Sequence, residues 1–526
     1  MAQEAVSTEV SSEKSPHAEM PKLSRSHRWI ALLVLLAGQF VLSLDLTILN
    51  IAMPGLSAEI RPSSDQQLWI IDIYSLILAG CLVSASSLSD RWGRKRTLLA
   101  GSLIFSVASA GVLMAFTPEA VILIRALLGF SAALVMPTTM SMTRNIFEIP
   151  KERAAAMAAW SVISGMGMAL GPIIGGFLVE HFTWHAAFLI NVPLMLIVTV
   201  VGFFVLPEIR IKNPGKWDAV AAVESLVGMV LVMWSIKHMA AIMAVDIAGI
   251  VTVVVGAICL FVFVRRCIKA ETPLLDVRMF RDKAFTSGIV AALGSMFAMA
   301  ALLFLLAQWL QLVDGCSPME SGIKLLPLAI ASLVSGAIAP AAAIKYGTRR
   351  VVTIGLAVVA AAMLMLLPFW GNLTYAPVAV ASALVGMGAG VLAVGSSVIM
   401  CATPPEKASS AAAFEEISYD LGNVLGVAVL GSVASIAYRL GFDPASLVSA
   451  GLDPASVDAA MQSFGAAVSI AQETGVTELM AEGMPAFTNS IILTSVIGGV
   501  IMIAVTYLVF KLIPKNFDIT EDSYEE

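Results

Sequence analysis

Six carboxylic acids lie inside stretches of the sequence that are otherwise apolar enough to be membrane helices. These acids are Asp45, Asp72, Glu224, Glu415, Glu416 and Asp420. A charge at the centre of a membrane helix costs about 2.5–3.5 kcal/mol on insertion scales. Each acid is therefore expected to face a polar cavity or a neighbouring helix, or to carry a proton.

Three of the acids fall within one short stretch, AAAFEEISYDLGN (411–423). Glu416 and Asp420 are four positions apart and share a helix face, whereas Glu415 points about 100° away. Two neighbouring carboxylates repel each other, so one of them readily keeps a proton. A cation that binds beside them lowers the cost of ionisation and displaces that proton. The pattern favours chemistry that exchanges a cation for a proton.

The same acids admit a plainer interpretation. The apolar stretch that carries them is about 30 residues long, so Glu415 would lie only about 10 Å from its start at 1.5 Å per residue. Glu415 and Asp420 would then be solvated near the helix end rather than placed in a cavity.

Aromatic side chains near the acids are candidates for stacking on a delocalised cation through cation–π contacts. The candidates are Tyr74, Trp160, Phe414 and Tyr419. Each of them also fits a simple packing role, because large aromatic rings are common in helix interfaces.

Arg125 is a formal charge inside a fourth apolar stretch, ILIRALLGF (122–130). The same insertion cost predicts that its guanidinium faces the interior of the helix bundle or water. The alternative is that Arg125 lies near the outer end of its helix and extends its head group to the membrane surface.

The elements that must position these groups are membrane helices. Of the 526 residues, 58% are hydrophobic and only 13% are charged, against about 25% charged in a soluble domain. Apolar runs of about 20 residues recur along the chain, and each is long enough to cross the hydrocarbon core. We predict an all-α polytopic membrane protein with fourteen transmembrane helices. The five cysteines form no metal or disulfide pattern, and the small net charge of -6 gives no sign of nucleic acid binding.

The loops alternate in basic content, and most of the 31 Lys and Arg fall on one side. The positive-inside rule then places both termini in the cytoplasm. We predict cytoplasmic tails at 1–28 and 513–526. The stretch 441–485 has no Lys or Arg and is predicted to be a long outside loop.

Two basic loops resemble each other, which points to an internal repeat. LSDRWGRKRTLL follows the second predicted span and AAIKYGTRRVVT follows the tenth, so that Gly93 matches Gly347. We predict two related six-helix halves, 29–206 and 284–512, with two extra helices and a loop at 207–283. Parallel repeats of this kind build transporters whose substrate site lies between the halves. The alternative is a chance likeness of two basic loops.

Several motifs resemble those of the major facilitator superfamily. SLSDRWGRKR (87–96) resembles its signature cytoplasmic loop, although Ser86 replaces the first glycine. The resemblance implies that this loop latches the two halves and gates access through Asp90, Arg91, Gly93, Arg94, Lys95 and Arg96. The stretch around Arg125 resembles the RxxxG motif, which ties that arginine to proton coupling.

A further set of motifs narrows the resemblance to exporters. GMALGPIIGG resembles the antiporter motif gxxxGPxxGG through Gly167, Gly171, Pro172, Gly175 and Gly176. LDLTILNIAMP (44–54) resembles a signature of the fourteen-helix drug:proton antiporters. FLINVP, LLPLAI and the stretch from 411 resemble QacA-type quaternary-ammonium multidrug efflux pumps, and this likeness runs from about residue 28 to 520.

The resemblance implies a secondary active transporter rather than an enzyme, driven by the proton gradient and without a cofactor. It would export lipophilic cations such as quaternary ammonium antiseptics and ethidium. Asp45 and Glu416 are the first choices for proton and substrate coupling, and Asp72, Glu415 and Asp420 are secondary. The expected setting is the plasma membrane of a bacterium, with the protein working as a monomer.

The sequence departs from the QacA-type pattern at two positions. Broad-range pumps carry an acid in LLPMAIGDM, whereas this chain reads LLPLAIASL with Ser332 in that place. We therefore predict that monovalent cations are preferred over divalent ones. Glu224 is an extra acid in the seventh predicted span, and we interpret it as a packing feature.

Two other functions are also compatible with the sequence, and two further functions are not supported by it. An exporter of another cargo (an amino acid, peptide or lipid) and a proton symporter are both compatible with the same fold. An ATP-driven pump is unfavourable because the sequence has no GxxxxGK[ST] motif. An intramembrane aspartyl protease is unfavourable because Tyr419-Asp420 has no GxGD partner.

Overall fold

A computed structural model describes most of the chain. The described residues are 23–62, 64–210, 217–242, 246–442, 447–448, 452–462, 464–476, 478–515 and 517–519. Most of the predicted tail 1–28 and the end of the tail 513–526 lie outside these ranges.

The first half of the chain is a series of apolar helices. They are α1 (Arg25–Ile60), α2 (Ser64–Trp92), α3 (Arg94–Ala110), α4 (Pro118–Ile146), α5 (Pro150–His181), α6 (Ala186–Leu189) and α7 (Asn191–Val205). The start of α4 shows how the sequence sets a boundary. The Thr117 side chain accepts a hydrogen bond from the Ala120 amide, and Pro118 occupies the first helical position, where it needs no hydrogen bond.

Two helices then separate the first half from the second, and eleven α-helices are described after them. The middle pair is α8 (Ala219–Ile242) and α9 (Ile247–Lys269). The second half contains α10 (Lys283–Leu312), α11 (Pro318–Lys324), α12 (Leu326–Tyr346), α13 (Thr348–Leu364), α14 (Tyr375–Ala389), α15 (Val391–Cys401), α16 (Ala408–Leu425), α17 (Gly431–Arg439), α18 (Pro454–Gln462), α19 (Phe464–Thr474) and α20 (Glu478–Leu512).

The described residues contain 14 helical segments that are long and apolar enough to cross a membrane. This count and the absence of strands among the described residues confirm the predicted all-α polytopic fold. Several of the spans are interrupted. For example, Gly390 separates α14 from α15, and a π-helical turn at Gly426–Leu430 separates α16 from α17.

The predicted outside loop at 441–485 is shorter in the structure. The last helix already begins at Glu478 and continues through Pro485. Within the part of this segment that is described, α18 and α19 are two further short helices.

The two halves repeat the same packing. In the first half α1 packs on α5, α2 on α4 and α3 on α7. In the second half α10 packs on α16, α12 on α14 and α13 on α20 in the same relation. The turns match as well, because Gly93 (φ 110°) and Gly347 (φ 92°) adopt a conformation that favours glycine at equivalent places.

Contacts between the halves form a seam through the middle of the bundle. Helices α2 and α4 contact α16, and α5 contacts α12 and α15. The middle helix α8 packs along α2 and also reaches α16. We call the end where α1 begins and α20 ends the terminal face, and the other end the distal face.

Candidate functional site

Asp45 lies at the centre of a buried polar cluster in the first half. Its side chain is 0% exposed, and one carboxylate oxygen lies 2.9 Å from Nη1 of Arg125. The amide of Asn191 donates a hydrogen bond of 2.8 Å to the other oxygen. Helices α1, α4 and α7 thus each contribute one member of the cluster.

Arg125 is enclosed by protein and does not extend to the membrane surface. The residue is 2% exposed, and its Nε donates to the Ile70 carbonyl at 3.3 Å. The same guanidinium lies 4.5 Å from the ring centroid of Tyr74. A buried ion pair is stable only when further hydrogen bonds satisfy both partners, and these contacts meet that condition.

Tyr74 connects this cluster to the acids of the second half. Its ring is fully buried, and its hydroxyl has no hydrogen-bond partner among the described residues. It interacts electrostatically with Asp45 and Arg125 of the first half and also with Glu416 and Asp420 of the second. The seam therefore brings into one neighbourhood two acid groups that are more than 350 residues apart in sequence.

The three acids of α16 have different surroundings. Glu415 accepts hydrogen bonds from Ser396 of α15 and from the Tyr419 hydroxyl, the latter at 2.5 Å. Glu415, Glu416 and Asp420 each have one buried oxygen without a hydrogen-bond partner in the described part of the chain. Glu415 differs from the other two because its second oxygen accepts both of these hydrogen bonds, and it points about 100° away from Glu416.

Asp72 is not part of the Asp45 cluster. It forms an ion pair with Lys237 of α8, and both side chains are partly exposed. The pair therefore links α2 of the first half to the middle helix α8.

Trp160 and Phe414 have packing roles in this structure rather than places beside the acids. The Trp160 indole is buried and donates to Thr139 at 3.1 Å. Phe414 packs edge-on against Phe280 and Phe285, with the centroids 4.9 and 6.0 Å away. Of the four predicted stacking residues, Tyr74 and Tyr419 are the two that contact the charged groups.

The basic loop after α2 joins the two halves at the terminal face. Asp90 lies 3.0 Å from Nη2 of Arg94 and accepts a 2.5 Å hydrogen bond from Ser409 at the start of α16. From α4, Arg144 donates to the carbonyls of Met400 and Thr403 in the second half. The halves are closed against each other at this face.

The other basic residues of the loop are held within the first half. Arg91 donates to Ser87, Arg96 lies 3.6 Å from Glu208, and the Lys95 ammonium lies 5.4 Å from the Phe203 ring. The backbone of Gly93 comes so close to Glu208 that a Cβ there would overlap it.

The glycines of the predicted antiporter motif let α5 contact α1 closely. A Cβ on Gly167 would lie 2.6 Å from Ser43 Cβ and 2.8 Å from the Phe40 carbonyl, whereas one on Gly176 would meet nothing within 4 Å. Gly171 and Gly175 face Thr47 and Ile48 of α1, and Pro172 lies within α5. Since α1 carries Asp45, this packing fixes the position of that acid relative to the seam.

The two positions that depart from the QacA-type pattern occupy different places. Ser332 of α12 faces Gly165 of α5 across the seam, with Oγ 3.8 Å from an ideal Cβ at Gly165. Glu224 of α8 pairs with Arg266 of α9 at 3.2 Å. The serine therefore lies between the halves, and the extra acid lies within the middle pair.

Comparisons with known proteins agree with this architecture. A family model described as Major Facilitator Superfamily matches residues 35–427. The multidrug efflux pump LfrA of Mycolicibacterium smegmatis is 39% identical over 487 residues, which is 91% of this chain and 95% of that protein. The methyl viologen resistance protein SmvA of Salmonella typhimurium is 33% identical over 461 residues, or 86% and 90% of the two chains.

A solved structure shares the fold at low sequence identity. The human organic anion transporter MFSD10 superposes with a TM-score of 0.60 at 14% identity and covers 92% of this chain and 99% of that one. At this identity the likeness concerns the fold alone.

Proposed function

This chain belongs to the major facilitator superfamily, and we propose that it is a proton-coupled multidrug efflux antiporter. Its substrates are lipophilic cations, such as quaternary ammonium antiseptics and ethidium, and it prefers monovalent to divalent ones. The observation that carries the proposal is the placement of Glu416, which is buried, and Asp420, which is partly buried, where α16 packs on α2 and α4. Both acids lie within electrostatic range of Tyr74, whose ring contacts Arg125.

Coupling follows from the cost of burying charge. A proton neutralises Glu416 or Asp420 when no cation is bound, because two adjacent buried carboxylates repel each other. A lipophilic cation in the seam compensates the negative charge and releases that proton. A proton that reaches Asp45 weakens its attraction to Arg125, which loosens the contact between α1 and α4. Proton and drug thus compete for one connected set of acids.

The orientation of the proposed pump follows from its basic loops. The terminal face carries most of the Lys and Arg, so we place this face and both termini in the cytoplasm. A monomer in the plasma membrane of a bacterium would then export its cargo across the distal face. No cofactor is required, because the proton gradient drives export, and any net charge that crosses 100 mV supplies about 2.3 kcal/mol. A one-for-one exchange of a proton for a monocation is electrically silent and uses the pH gradient only.

Drug-induced proton release from inside-out vesicles tests the function. Ethidium should release lumenal protons from vesicles that contain the wild-type chain, and Glu416→Gln should abolish the release because the amide cannot carry the exchanged proton. Glu224→Gln is the matched control, since that acid pairs with Arg266 away from the seam. It should retain the release.

Two results would contradict this assignment. Release that persists in Glu416→Gln would take Glu416 off the coupling path. No release from wild-type vesicles with ethidium or with any other lipophilic cation would indicate a different cargo.

The closed terminal face gives a second prediction. Ser409→Ala removes a hydrogen bond to the charged Asp90, a bond worth about 1.5 kcal/mol, so it should raise the population that is open at this face about tenfold. Cys401 of α15 is buried and accepts a hydrogen bond from Arg153 of α5 across the junction between the halves, so its rate of maleimide labelling reports opening. Cys267, which is equally buried on α9, is the internal control and should label at the wild-type rate. Unchanged Cys401 labelling would show that Ser409 does not help to close the face.

A further inference from the structure

The ion pair between Asp72 and Lys237 joins the first half to a helix that belongs to neither half. We propose that Lys237 is a built-in counter-ion that occupies Asp72 and thereby limits the charge of the cations that the site accepts. This inference rests on the proposed function and names the residue that sets its substrate range.

Helix α8 is placed to deliver this ammonium to the seam. Met229 and Met233 of α8 pack in one buried cluster with Leu76 of α2 and Val424 of α16. Lys237 follows Met233 by four positions and therefore lies on the same face of α8. The face of α8 that covers the seam with Met229 and Met233 thus carries the Lys237 ammonium one helical turn closer to the end of α8.

Asp72 occupies the corresponding place on α2. It lies four positions before Leu76, so the ion pair continues the apolar contact between α2 and α8. The Asp72 side chain is 26% exposed and that of Lys237 is 21% exposed. Water therefore reaches the pair, and another cation is able to compete with Lys237 for the carboxylate.

Lys237 also acts on a second acid of the seam. Asp420 interacts electrostatically with Lys237, whereas Glu416 interacts with Asp420 and Glu415. Asp45 already has Arg125 as its own cation. With Lys237 in place, no basic side chain of the described chain is seen to act on Glu416 or Glu415, and Glu415 accepts hydrogen bonds from Ser396 and Tyr419. Glu416 is then the acid without either kind of partner, which suits a single positive charge.

A dication requires two carboxylates that are free to pair with it. Removal of the Lys237 ammonium releases Asp72 and deepens the negative potential at Asp420. A site with two such acids would favour a substrate with two positive charges. The alternative is that the pair only fastens α8 to the first half. However, an ion pair this exposed adds little to stability, and Met229 and Met233 already supply buried apolar contacts.

Substrate preference in the reconstituted full-length chain tests the proposal. The half-saturating concentrations of methyl viologen, a dication, and ethidium, a monocation, are measured for the wild type and for Lys237→Met. The preference for methyl viologen over ethidium should rise about tenfold in the variant, as expected for one partly screened charge close to the site. Lys237→Arg keeps the charge and should keep the wild-type ratio.

A double variant distinguishes a role of Lys237 in substrate specificity from a role in fastening α8 to the first half. Adding Asp72→Asn to Lys237→Met should return the ratio towards that of the wild type, because the released carboxylate is gone. An unchanged ratio in Lys237→Met, or a raised ratio that survives in the double variant, would overturn the proposal. If Lys237→Met elutes as an aggregate, Lys237→Gln replaces it and is read in the same way.

Binding in detergent keeps this test independent of the proposed function. Both drugs are titrated against purified protein by fluorescence, which requires no proton exchange. Failure of the wild type to exchange protons would contradict antiport, whereas an altered ratio of binding affinities in Lys237→Met would still support the role of Lys237. Equal affinity ratios in the wild type and the variant would refute that role even if antiport is established.

Discussion

Asp45→Asn is expected to abolish drug-driven proton exchange and to lower the free energy of unfolding by about 3–5 kcal/mol. The stability loss arises because the Arg125 guanidinium stays buried without the carboxylate that lies 2.9 Å away. The loss of exchange has a separate cause, since an amide at this position cannot take up and release a proton. Proton release from vesicles and thermal unfolding in detergent measure the two effects.

A double variant distinguishes these two effects. Asp45→Asn combined with Arg125→Met removes the uncompensated charge and should recover most of the lost stability. It should not recover proton exchange, because the titratable group is still missing. Exchange in either variant at the wild-type rate would show that Asp45 serves the structure alone. If stability fails to recover in the double variant, the hydrogen bond from Asn191 must be important in its own right.

The sequence predicts the fold because its decisive signals are local. Apolar runs of membrane length gave the fourteen spans, and the likeness of the loops at Gly93 and Gly347 gave the repeat. The interior position of Arg125 also follows from the cost of a charge in lipid. Each of these inferences uses the residues of individual segments, and none requires knowing which segments pack together.

The partners of the charged groups were not predictable in the same way. Asn191 binds Asp45 from 146 positions away, and Lys237 meets Asp72 only because α8 packs along α2. Hydropathy gives no direction for a long side chain such as that of Lys237, whose apolar stem lets the ammonium reach sideways. Such contacts depend on how helices cross, which one segment does not encode.

The roles of the aromatic side chains were also not predictable from the sequence. Composition made Trp160 and Phe414 candidates for cation stacking, yet both are enclosed by protein in packing contacts. The π-helical turn at Gly426–Leu430 was also missed, because the apolar run continues through it without a break. The packing contacts of these rings and the π-helical turn leave the hydropathy profile unchanged, so the sequence gives no signal for either.

Gly129→Ala is expected to disable transport by separating α2 from α4. A Cβ at this position would overlap the carbonyl oxygen of Tyr74, and it would lie 3.1 Å from the carbonyl carbon of the same residue. Backbone atoms cannot turn aside as a side chain does, so α2 must move, at a cost of about 1–3 kcal/mol. That movement withdraws the Tyr74 ring from its place 4.5 Å from the Arg125 guanidinium.

Gly38→Ala is the matched control for this substitution. Gly38 is also a helical glycine of the first half, but its Cβ would meet only Val198, Val135 and Thr139 at ordinary contact distances of 3.6–3.9 Å. It should fold and transport ethidium as the wild type does, because the alanine fills existing space and favours the helix. Wild-type transport by Gly129→Ala would mean that the close approach of α2 and α4 at Tyr74 is dispensable. The connection between the Asp45 cluster and the acids of α16 would then have to bypass Tyr74.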